Sequence, residues 1–153
     1  MEKFEEICEE VYSDDIRIVP IEVAKDGPKA LYIKANGRKL IALPHSDTEA
    51  QRTCMLTEQY GHYVTGDDRV LYYDKIADWK AEARARRYAH DRLLTPDAIR
   101  IAAQNTDDEY EIAFALNVTV EFLRDAIDCF KARGLWSEEP CIDNKKEENQ
   151  WDV

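Results

Sequence analysis

The sequence has no Cys-x-x-Cys pair. Its four cysteines, Cys8, Cys54, Cys129 and Cys141, lie far apart, and such scattered thiols read as reduced side chains of a cytoplasmic protein. No apolar run approaches the roughly 18 residues of a membrane span, which excludes a helical membrane protein. The start, Met1 to Glu6, is too acidic and too poor in apolar residues to predict a secretion signal. Basic residues are short: 21 Lys and Arg stand against 32 Asp and Glu, a formal net charge of -11. Phosphate backbones repel such a chain, which argues against broad electrostatic binding of nucleic acid and leaves open only a local basic face. Internal repeats are absent too.

What is present suits a globular domain. The chain has 153 residues, 44% hydrophobic and 35% charged, enough for one domain with or without a small appendage. Phe4, Ile7, Cys8 and Val11 fall at helical spacing and predict a first helix over 2–13. Ile16 to Val19 reads as a strand that Pro20 limits. Two β-rich runs, 30–34 and 39–43, flank Asn36-Gly37, the strongest short hairpin signal. Ser46 as N-cap with Glu49 three residues on predicts a capping box opening the next helix. That helix is apolar around much of its circumference, so it is expected at the centre of the fold. A second long helix is predicted over 76–94, and Thr95-Pro96 starts another. Residues 97–134 look like a small all-helical unit, with Asn117-Val118-Thr119 as a tight turn and Thr119 capping the helix through Phe130.

The central helix carries Glu58-Gln59-Tyr60-Gly61-His62. This fits the frame of His-Glu-x-x-His, in which two His one turn apart ligate zinc and the Glu activates water. Glu58 takes the first ligand position, Gln59 the general-base position and His62 the second ligand position. Positions 58 and 62 share one helical face, so a carboxylate and an imidazole there could both reach one ion. A catalytic zinc needs about three protein ligands, so a third must come from elsewhere. Gln59 cannot take up a proton at useful pH, which removes general-base activation of water by that residue.

The other signals have bland readings. His45 reads as a surface or capping histidine and His90 as an ordinary helix-surface residue. Arg84, Arg86, Arg87 and Arg92 read as a solvated face paired with nearby acids. The text 111–127 has the rhythm of a helix-turn-helix, but its last helix offers Arg124 among Glu121, Asp125 and Asp128. A DNA-reading helix normally presents bases and amides instead, so a packing or partner-binding unit is expected.

Cys54 to Tyr63, followed by Ala83 to Leu94, resembles the ImmA/IrrE family of metallo-endopeptidases, and within it the short phage- and prophage-encoded members of Gram-positive bacteria. The resemblance spans about residues 5–135 and includes the Asn-Gly hairpin and the Val-Thr-x-Glu-Phe-Leu text at 118–123. It implies an α+β, zincin-like, mostly helical domain with a small antiparallel sheet over 1–95. A helix-turn-helix-like unit over 96–135 and an acidic tail over 136–153 would follow. It also implies a zinc ion between two helices and a role in relieving repression by acting on a repressor protein.

The departures from the family pattern are concerted. With Tyr88-Ala89 as the family's aromatic-Ala pair, the third-ligand position is Arg84, a group with no lone pair for a cation. The expectation is that a Glu58–Arg84 ion pair bridges the helices where metal once did. The alternative keeps zinc on Glu58 and His62, with Asp91 or Glu82 as weak candidates for the third ligand. Three functions follow: a pseudoenzyme that binds a repressor, an active zinc endopeptidase, or a DNA-binding regulator.

Overall fold

The computed structural model describes residues 2–22, 30–46, 48–66 and 75–136, with backbone alone for 75–78. The expected tail falls outside these residues beyond Trp136. The described chain is α+β. Six helices, α1 (Lys3–Ser13), α2 (Glu49–Val64), α3 (Lys75–Leu93), α4 (Pro96–Ala102), α5 (Glu109–Ala115) and α6 (Val120–Ala132), accompany three strands, β1 (Ile16–Ile21), β2 (Leu31–Ala35) and β3 (Arg38–Pro44). Among the described residues, no helix is long and apolar enough to cross a membrane.

The sheet order is β1-β3-β2. The β2–β3 hairpin forms as its sequence predicts: Asn36 and Gly37 both take positive φ, at 52° and 73°, the geometry of a mirror-image two-residue turn. One expectation needs correction. The sheet is mixed, because β1 runs parallel to β3 with Ile16 opposite Lys39. A hairpin rule speaks only for adjacent strands, and β1 reaches β3 by a crossover that it cannot foresee. Pro20 does not end β1 either; the strand runs on to Ile21, as an edge position allows.

The start of α2 also differs from expectation. Thr48, not Ser46, is the N-cap, and its hydroxyl accepts the Gln51 N–H at 3.2 Å. Ser46 instead donates to the Thr48 carbonyl at 3.3 Å, tightening the approach to the helix. Farther on, Thr95 accepts from Ala98 N–H and Thr119 from Phe122 N–H, so α4 and α6 begin where the cap residues predict.

Helix α2 lies between two apolar clusters. On one side Leu56 and Tyr60 join Ile7, Val11, Ile16 and Ile41 from α1 and the sheet. On the other, Cys54 joins Ala89, Phe122, Leu123, Ala126 and Phe130 from α3 and α6. This two-sided burial explains why α2 is apolar around so much of its surface. Helix α3 crosses α2 closely through small residues. Ala81, Ala85 and Ala89 are all buried, and Gly61 lies directly against the Ala85 backbone. Arg92 of α3 ties back to α1 by a hydrogen bond to the Glu10 carboxylate.

Candidate functional site

The contact of Gly61 with Ala85 sets the rotation of α3 and so decides which of its side chains meet α2. With 81, 85 and 89 facing inward, positions 82 and 86 fall on the flank that meets Glu58 and His62. Position 84 falls on the other flank. Arg84 is exposed, and among the described residues no hydrogen bond or ion pair joins it to Glu58. The structure therefore does not form the Glu58–Arg84 bridge expected from the sequence. The guanidinium that acts on Glu58 belongs to Arg86, two residues farther along the chain.

Glu58 and His62 do share a face of α2. His62 is buried, and its Nε2 stands 3.2 Å from Glu82 Oε1. Glu82, turned away by the sequence reading, is thus the α3 acid that reaches the motif. Asp91 is engaged elsewhere, accepting from Arg133 Nη1 at 2.7 Å. Burial raises the Glu58 carboxyl above its usual range; Arg86 pulls it back, Glu82 and Asp125 push it further up, and His62 lowers it. Glu58 also lines a cleft of about 440 Å³ between α2 and the start of α6, with His45, Cys54, Glu121, Phe122 and Asp125. Burial raises the Cys54 thiol to about 12, outweighing hydrogen bonding to Thr119, so this thiol is not a nucleophile.

Gln59 points away from that cleft. Its Oε1 accepts the backbone N–H of Tyr32 at 3.0 Å, joining α2 to the outer strand β2. The residue at the general-base position is therefore a structural tie. Gln59→Leu leaves that N–H without its partner, at a cost of about 1–2 kcal/mol. Gln59→Glu keeps an acceptor and should lose less. Urea unfolding midpoints of the two variants measure the difference, and equal losses would refute the role of this bond.

The fit to zinc follows from the donors. His62 offers its Nε2 to Glu82, Glu58 is held toward its neutral form, and Gln59 is turned to the sheet. Among the described residues, no group of three or more His, Cys, Asp or Glu side chains is gathered where it could hold a metal ion. A zinc centre needs about three such ligands, and the described residues alone do not assemble one.

His90 corrects a second expectation. It is 2% exposed, and neither ring nitrogen has a hydrogen-bond partner. Its ring sits edge-on to Phe122, with centroids 5.0 Å apart. The alanines at 81, 85 and 89 were the available signal: their four-residue spacing marks the buried face of α3, and His90 follows directly on the last of them. Comparison with protein-family models, curated proteins and solved structures finds no match to this chain.

Proposed function

We propose that the chain is an ImmA/IrrE-like, zincin-like protein of phage or prophage type that regulates a repressor by binding it, without zinc catalysis. One observation carries this reading. Two of the three residues at the motif's chemical positions are spent on architecture, with Gln59 holding the Tyr32 N–H and His62 against Glu82. The helical frame persists while its catalytic groups join elements together. On this reading, α5 and α6, joined through Leu116–Thr119 in the rhythm of a helix-turn-helix, form a partner-binding unit and do not read DNA. Three carboxylates on α6, Glu121, Asp125 and Asp128, are exposed and would repel phosphates.

The test uses the purified chain and the repressor encoded nearest to it. Binding that survives a chelator, with the repressor left intact and zinc below one equivalent per chain, is the expected result. A second reading, an active zinc endopeptidase with Glu58 and His62 as ligands, draws on the Glu82 carboxylate beside His62. One zinc per chain, lost in His62→Ala together with repressor cleavage, would replace the first reading with the second.

A further inference from the structure

Helix α5 turns two aromatic side chains to solvent. Tyr110 is 65% exposed and Phe114 is 88% exposed. Four residues apart, they stand one above the other on the same helical face. Ile112 on the opposite face and Ala113 on the flank are buried, so the helix is oriented with an apolar pair outward as well as apolar residues inward. Isolated exposed apolar residues are ordinary, but an aromatic pair on a short, capped helix is a preformed anchor of the kind that dominates interfaces.

The surroundings of this pair are strongly acidic. Between 107 and 128 the chain carries seven acidic side chains and one basic, Arg124. That arginine is already neutralised. It bonds the Glu109 carboxylate through Nε at 2.9 Å, and also meets Tyr110. Arg124 thereby fixes α5 beside α6, whose exposed carboxylates Glu121 and Asp125 also border the cleft against α2, with Asp128 one turn on. Those three recur at i, i+4 and i+7 and form one stripe along α6.

We infer that this face docks a basic amphipathic helix of a partner protein. Its apolar side meets Tyr110 and Phe114, and its Lys and Arg side chains lie toward the α6 stripe. Charge complementarity selects the occupant. A second copy of this chain would bring the same acidic stripe and a further net charge of -11, and a nucleic acid would bring phosphates. The inference rests on the partner-binding reading above for the existence of a partner, and assigns that partner a surface.

The probe is an amidated helical peptide with Leu on one side and Lys and Arg on the other, beside a twin carrying Glu at the basic positions. Binding to the full chain is followed by fluorescence anisotropy at low and at moderate salt. The basic peptide should bind and the acidic twin should not. Phe114→Ala changes no charge, so at least about a fivefold loss in that variant locates the peptide on α5. Glu121→Gln with Asp128→Asn should weaken binding and flatten its salt dependence. Circular dichroism confirms that each variant is folded.

Equal binding to the wild-type chain and Phe114→Ala would show diffuse charge attraction and overturn the proposal. Equal binding of the acidic twin would do the same. So would a concentration-dependent dimer of the chain alone that Phe114→Asp abolishes. A repressor that binds the wild-type chain and Phe114→Ala alike would overturn this face and leave the regulatory reading standing. Failure of the wild-type chain to bind the repressor, with the peptide result intact, would remove the regulatory reading and leave the face.

Discussion

Gly61→Ala is expected to destabilise the protein by about 2 kcal/mol, despite adding a better helix former. A Cβ at position 61 would stand 2.5 Å from the Ala85 carbonyl oxygen and 3.1 Å from its carbonyl carbon. These are backbone atoms, so no rotamer change relieves the clash; α2 and α3 must separate. Overpacking of this kind costs up to about 3 kcal/mol. Replacing a mid-helix glycine by alanine returns about 1 kcal/mol. Separation also loosens the flank where Glu82 meets His62, so the loss is not confined to one contact. Gly61→Val, which is bulkier and β-branched, should lose more. Chemical unfolding of the three proteins at neutral pH measures the series. An alanine variant as stable as wild type would show that the helices are not in contact at Gly61.

The second large effect is a dependence on acid. Burial holds His90 neutral and lowers its pKa from 6.5 to about 4. Asp125 and Asp91 raise it, Arg86 and Arg133 lower it further, and burial, the largest of these effects, sets the direction. The folded pKa lies below the unfolded one, so between these values the unfolded chain holds more protons. Stability therefore falls as pH drops from about 6.5 to about 4, by about 3 kcal/mol from this group alone. Glu58 acts with the opposite sign. Its raised pKa means that the folded state takes up a proton more readily, so acid relieves part of the cost of burying it. The comparison must therefore be made against a variant. His90→Leu removes the titration and two unpartnered polar nitrogens, so it should match or exceed wild-type stability at pH 7. Its advantage should grow by about 3 kcal/mol on going to pH 4. Parallel stability curves for the two proteins would exclude the effect.

The elements legible in the sequence were those specified locally. Asn36-Gly37 demanded positive φ at adjacent residues and obtained it. Thr95 and Thr119 each placed a hydroxyl over the first turn of a helix. Helix α2 could be read as central because its apolar positions cover more than one face, and it lies between the two clusters. What could not be read was set at a distance. The parallel pairing of β1 with β3 depends on a crossover, and Thr48 takes the N-cap although Ser46 also carries the hydroxyl a cap needs. The site suffered most from this limit. Glu58 and His62 share a face by helical geometry alone, but their partners depend on the rotation of α3. Counting from Tyr88-Ala89 pointed to Arg84. The packing of Gly61 on Ala85 brought Glu82 and Arg86 instead. One small residue on each helix decided which charges meet.

The small sheet has a consequence for how this chain meets other chains. An open sheet invites strand addition wherever its border donors are free. Here the Tyr32 N–H on the β2 border is taken by Gln59, and Pro20 on the β1 border has no N–H to give. Each margin of the sheet is therefore interrupted, at the second residue of β2 and at the fifth of β1. An extended peptide would find a broken template on either side, and so would a strand from another copy at high concentration. Both described edges of the sheet thereby resist edge-to-edge pairing.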